Sequence, residues 1–114
     1  MRLRTILCPI DFSDLSASET EIAVEVARKF SAGVVLHHNC AAIAPGIARA
    51  WDWEATHREA DSEGHAERRM QAALNAMPRD VRAEGVVSTG PVARTLLLLA
   101  EELHVDLIVL GSHG

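Results

Sequence analysis

The residues best suited to chemistry sit where short apolar runs end. Leu107-Ile108-Val109-Leu110 leads directly into Gly111-Ser112-His113-Gly114. An all-apolar run of this length reads as a strand buried on both faces. Two glycines three positions apart after such a strand let backbone N–H groups approach an anion, and His113 can add a donor. By itself the motif is also what any tight turn with a solvent-facing histidine looks like. A second run, Leu3 to Ile10, ends at Pro9-Ile10-Asp11. A carboxylate there can accept from ribose hydroxyls or from the N–H groups that open a helix, and turn chemistry alone favours the second role. His37-His38-Asn39 follows a third run, and Thr89-Gly90-Pro91 with nearby Arg94 follows a fourth.

Other constellations are weaker. His57, Asp61 and His65 share one helical face at i, i+4 and i+8. Helical His pairs can hold a metal, but charged residues at that spacing usually form a solvated face. Trp51 and Trp53 could cover a base, although aromatics more often serve as core and contact residues. Cys8 and Cys40 have no CxxC neighbour and read as small, reduced, buried residues. The GxGxxG fingerprint, the P-loop and the GxSxG elbow are all missing from the sequence. Binding rather than catalysis is therefore the expectation.

Composition sets the frame for these sites. The chain of 114 residues is expected to form one domain, 1–114; it is 48 % apolar and 24 % charged, with a net charge of −5. An acidic domain carries no electrostatic footprint for nucleic acid or for anionic membranes. Asp11 interrupts the opening apolar run too early for a signal peptide, and no stretch reaches membrane-spanning length, so a cytoplasmic location is expected.

The elements alternate. The pattern predicts a strand over Leu3–Ile10 and a helix from Ser16, the expected N-cap with Glu19 at capping-box spacing, to about Ser31. Ile22, Val26 and Phe30 mark its expected stripe beside Ala23 and Ala27, and Gly33 its C-terminal glycine. A second strand covers Val34–His37, and a loop starts at Asn39. A long surface helix follows, from about Asp52 to Met77, packed through Met70, Ala73, Leu74 and Met77. Val81–Ser88 reads as an edge strand, and Pro91 as the first residue of a helix that buries Val92, Leu96, Leu99, Ala100 and Leu103. Parallel strands with helical crossovers predict an open, doubly wound α/β sheet, with ligands at the carboxyl ends of its strands.

Four segments, in order and at matching spacing, resemble the universal stress protein family: Ile6-Leu-Cys-Pro-Ile-Asp-Phe-Ser13, Val35-Leu-His37, Thr89-Gly-Pro91 and Asp106 to Gly114. The resemblance implies an adenine nucleotide α-hydrolase-like sheet of five parallel strands, of which this chain carries four. It also implies a homodimer and, in one branch of the family, ATP binding, with Mg2+ as a companion ion. In that branch the nucleoside would meet Asp11, at the Pro9-Ile10-Asp11 turn, and the backbone at His38. The phosphates would meet Gly111, Ser112, His113 and Gly114. The family's nine-residue spacer, second Gly-Ser or Gly-Thr, last helix and fifth strand are not in the sequence, so a domain truncated at its C-terminus is expected. If so, the Leu107–Leu110 strand lies at an exposed edge that needs cover. The expected function is a stress-response protein binding ATP or a related adenine nucleotide. The alternative is a non-binding dimerisation or interaction module of the same fold.

Overall fold

The computed structural model describes residues 2–40 and 53–111, with the side chains of 14–15 and 53–63 outside the description. Its elements are β1 (Thr5–Pro9), α1 (Asp14–Phe30), β2 (Gly33–Cys40), α2 (Trp53–Asn75), β3 (Ala83–Thr89), α3 (Val92–Glu102) and β4 (Leu107–Ile108). The four strands form one sheet in the order β3-β2-β1-β4, and every pairing is parallel. The expected α/β sheet is therefore present. β3 lies at one edge, as the alternating pattern of Val81–Ser88 predicted, and β4 at the other. Right-handed crossovers place α1 and α2 on one face and α3 on the opposite face.

The core lies between α1, α2 and the sheet. Ile6, Leu7 and Cys8 of β1 and Leu36 of β2 are fully buried. Burial pushes the Cys8 thiol up to about 11, and the nearby Glu19 charge adds to the shift, so it remains a protonated core residue. Cys8 is a free thiol. α2 packs through Met70, Ala73, Leu74 and Met77, as expected, with Ala66 also buried. It sits close to the sheet at Gly85, where a Cβ would lie 2.6 Å from Met70 Cγ and 2.9 Å from Leu74 Cδ1.

Several boundaries and faces differ from the sequence reading. α1 begins at Asp14 with Ser13 as N-cap, not Ser16, because Ser16 turns inward instead. Its buried stripe is Ala23, Val24 and Ala27, whereas Ile22 and Phe30 are exposed. Small residues let the helix lie close on the sheet, and the larger ones are left on its flanks. The left-handed residue ending α1 is Ser31 (φ 55°), and Gly33 opens β2. β2 runs through Asn39 and Cys40, which were expected in a loop; residues 41–52 lie outside the described residues. Pro91 is the N-cap of α3 rather than its first residue, and that helix buries none of its residues. Leu96, Leu99, Ala100 and Leu103 are only half-buried, and Val92 is exposed.

Asp106 joins the edge strand β4 to β1. Its Oδ2 accepts from the Arg4 N–H at 2.8 Å and the Thr5 N–H at 3.1 Å, and its own N–H donates to the Thr5 carbonyl at 2.9 Å. These backbone donors, with Arg4 first, hold its carboxyl below the usual carboxylate range. Arg28, near the end of α1, and Asp80, before β3, form an exposed bidentate pair at 2.8 and 3.0 Å.

Two outcomes follow for stability. A carboxyl whose folded value is depressed stabilises above its unfolded value, about pH 4, and that contribution is lost as pH falls through the lower folded value. Asp106→Asn is therefore expected to lower the urea midpoint at neutral pH and to flatten its fall on acidification. An unchanged acid limb contradicts this. Gly85→Val must displace Met70 and Leu74, and is expected to cost about 1–3 kcal/mol by overpacking, read as a lower thermal midpoint.

Candidate functional site

β2 outruns β1. Pro9 pairs with His37, the last β1 residue in the register, while β2 continues through His38, Asn39 and Cys40 beside β3. The overhang forms one wall of a crevice at the carboxyl ends of the strands. The chain order reverses here: β1 to β3 progress one way across the sheet, and β4 lands on the other side of β1. That switch point is where open parallel sheets hold ligands. The crevice has a volume of about 340 Å3 and is lined by Pro9, Ile10, Asp11, Glu19, His37, His38, Asn39, Val92, Leu96, Leu110 and Gly111. Of the sequence-predicted site residues, Pro9, Ile10, Asp11, His38 and Gly111 thus come together. Ser112, His113 and Gly114 lie outside the described residues.

Asp11 is held by the start of α1. The Asp11 N–H donates to Ser16 Oγ at 2.9 Å, and the Ser16 hydroxyl donates back to Asp11 Oδ1 at 2.6 Å. The same Oδ1 accepts from the Ser13 N–H at 2.9 Å. The helix-opening role weighed for Asp11 is therefore real. A carboxylate accepts at about four positions, so this role and ligand contact are compatible. Between these partners Phe12 adopts a left-handed backbone, φ 63°, uncommon for a bulky residue. Its ring lies 4.5 Å from the His38 ring, and the Arg69 guanidinium stands 5.2 Å from its centre.

The three residues of the β2 wall are each tied elsewhere. His38 Nδ1 lies 2.9 Å from the Ile10 carbonyl, which can only accept, so Nδ1 carries the proton. His37 is buried and pairs with Ser88 Oγ at 2.8 Å through Nε2. Burial, and then the neighbouring His38, lowers its pKa and keeps it neutral. Asn39 Nδ2 donates to the Gly90 carbonyl at 2.8 Å, which fixes the amide orientation. Its Oδ1 is buried with no hydrogen-bond partner among the described residues.

Some expectations fall elsewhere. Arg94 does not line the crevice and is exposed. The side chains of Trp51, Trp53, His57 and Asp61 lie outside the described residues, and His65 is exposed. Among the described residues no cluster of three His, Cys, Asp or Glu could hold a metal. Sequence reasoning missed the inward turn of Ser16 and the contributions of Glu19, Val92, Leu96 and Leu110. The capping-box spacing of Ser16 and Glu19 did mark that turn, but for a different role. A larger cavity of about 740 Å3 lies between α1 and α2, on the face away from α3. It is lined by polar and apolar residues of both helices and reaches Ile10, Phe12 and Ser13 just past the end of β1.

The strand order, the crossovers and the crevice at the switch point define an open parallel α/β protein. Residues 2–114 match the model of the universal stress protein family, and the chain belongs to that family. Among solved structures it is similar to the universal stress protein UspA from Lactobacillus plantarum, at 24 % identity and a TM-score of 0.79, covering 100 % of this chain and 80 % of that one. A protein of the universal stress protein family from Burkholderia pseudomallei matches at 23 % identity and a TM-score of 0.62, covering 97 % and 83 %. A universal stress protein solved in complex with cAMP matches at 23 % identity and a TM-score of 0.57, covering 97 % and 77 %. No curated protein matches the chain in sequence.

Ser16→Ala removes both halves of the Asp11 exchange in a buried setting. It is expected to cost about 1–3 kcal/mol, since hydrogen bonds to charged groups are among the stronger ones. Chemical denaturation with an unchanged m-value checks it, and a variant as stable as wild type contradicts the assigned role.

Proposed function

We propose that this protein binds ATP or a related adenine nucleotide in the crevice at the strand ends, as a cytoplasmic stress-response protein that works by binding rather than turnover. The observation that carries the reading is the meeting of Asp11, the β2 overhang and Gly111 at the switch point of a parallel sheet. The crevice volume, about 340 Å3, lies in the range of small-molecule sites, roughly 300–1,000 Å3, and suits the nucleoside end of such a ligand. Asp11 would accept from ribose hydroxyls while keeping its bonds to Ser13 and Ser16. The backbone at His38 would face the base. The phosphates would extend past Gly111 toward Ser112, His113 and Gly114, where two glycines let N–H groups converge. A structural neighbour solved in complex with cAMP supports the class of ligand. Mg2+ would accompany ATP through the phosphate oxygens, as is usual for that ion. A cytoplasmic setting fits the buried, protonated thiol of Cys8, and among the described residues no helix is long and apolar enough to cross a membrane.

Isothermal titration of ATP with Mg2+ tests this. Saturable heat is expected, and no heat at high nucleotide concentration sinks the reading in favour of an interaction module. Asp11→Ala is expected to weaken binding by about 10–100-fold, the equivalent of a hydrogen bond to a charged group, while the circular-dichroism spectrum stays unchanged. Wild-type affinity in that variant removes Asp11 from the site.

A further inference from the structure

The amino ends of β1, β2 and β3 meet at the end of the sheet opposite the crevice. The Gly33 N–H donates to the Arg4 carbonyl at 2.9 Å and the Val34 N–H to the Arg82 carbonyl at 2.8 Å, so Arg4 and Arg82 flank the start of β2. The Arg82 guanidinium reaches Gly33, its Nη2 lying 3.7 Å from where a Cβ would stand. α1 ends here as well: Ser31 turns left-handed after Phe30 and hands the chain to β2. These segments enclose a pocket of about 530 Å3. Arg2, Arg4 and Arg82 line it, Leu3 and Phe30 form its apolar part, and its described lining residues include no carboxylate. α3 and β4 contribute none of these residues.

Three cations share this pocket although the chain carries 16 acidic and 11 basic residues. Among the described residues the one salt bridge joins Arg28 to Asp80, in an adjoining hollow that Ser31 and Arg82 also line. None of the three pocket arginines is in a salt bridge. The charge of Arg4 acts on Asp106, but Asp106 Oδ2 already holds two N–H donors. The negative end of α1 accounts for Arg28 and Lys29 on its own last turn, and does not require three more cations from other segments. A concavity lined by one sign of charge concentrates the opposite ion. Guanidinium forks match phosphate oxygens in pairs. Phe30 is 43 % exposed at the pocket and offers a ring face for a planar group to stack on. The volume falls within the small-molecule range of roughly 300–1,000 Å3.

We propose that this pocket is a second anion site, and that it takes a small phosphate ester of a planar ring, with the phosphate among Arg2, Arg4 and Arg82 and the ring against Phe30. The site stands apart from the nucleotide reading of the crevice, because it lies at the other ends of the strands and shares no lining residue with it. Its charged contacts are exposed side chains. Binding is therefore weak, with a Kd on the order of 1 mM, and falls with added salt.

Amide NMR spectra of the chain, titrated with phenyl phosphate and separately with inorganic phosphate to about 10 mM, locate the site and measure its affinity. Saturable shifts are expected at Arg2 to Thr5, Phe30, Ser31 and Arg82. Phenyl phosphate is expected to bind about threefold or more tightly than inorganic phosphate, through the ring contact. Arg4→Gln and Arg82→Gln are each expected to weaken phenyl phosphate by about three- to fivefold, the size of an exposed ion pair. Phe30→Ala is expected to remove the preference for the aryl ester and to leave inorganic phosphate as it was. All three side chains are exposed, so the variants keep their fold, checked by circular dichroism. A titration without saturable shifts overturns the proposal, and so do shifts confined to the crevice. Undiminished binding in R4Q/R82Q overturns it as well, as does a wild-type chain that holds inorganic phosphate as tightly as phenyl phosphate.

Discussion

The crevice depends on the exchange of hydrogen bonds between Asp11 and Ser16. A strand that ends beneath a helix must turn sharply, and the turn leaves backbone donors to satisfy. Ser16 takes the Asp11 N–H and returns its hydroxyl proton to the Asp11 carboxylate, which also takes the Ser13 N–H. The turn is thereby fixed tightly enough to hold Phe12 in a left-handed conformation. Phe12 in turn packs against His38, and His38 bonds back to Ile10. One small polar network thus ties the ends of β1, α1 and β2 together.

The second constraint is the unequal length of the strands. β1 is paired on both sides, so it is buried and needs no alternation of polar and apolar residues. β2 continues beyond it, and the polar residues His37, His38 and Asn39 fall where the sheet opens to the crevice. Each has its side chain held by a partner on a neighbouring segment, so the wall is preorganised. On the opposite side of the molecule's chemistry, the Asp106 carboxylate sets β4 against β1 by gripping the two N–H groups at the start of that strand. The motif that brings Gly111 to the crevice is positioned by this grip as well as by the apolar run itself.

Much of this was legible in the sequence. Apolar runs and helical periodicity gave four parallel strands and three helices in order, since burial on two faces and burial on one stripe leave different patterns. The convergence of Pro9, Ile10, Asp11, His38 and Gly111 followed from the strand-end rule. Element ends were less legible. Ser16 has the spacing of a cap and acts as the partner of Asp11, because capping signals record only local spacing and not which way the side chain faces. Ile22 and Phe30 looked like core, and the sheet selected Ala23, Val24 and Ala27, because close packing rewards fit over hydrophobicity.

The sequence by itself therefore determined the fold class, the order of elements and the set of loops that could hold a ligand, because these follow from local periodicity and from the handedness of crossovers. The tertiary structure alone decided which polar groups pair, how far β2 overhangs β1, and which side of α3 faces outward. Those depend on contacts between residues distant in the chain, such as His37 with Ser88 and Asp106 with Arg4. No local pattern encodes a distance across the sheet.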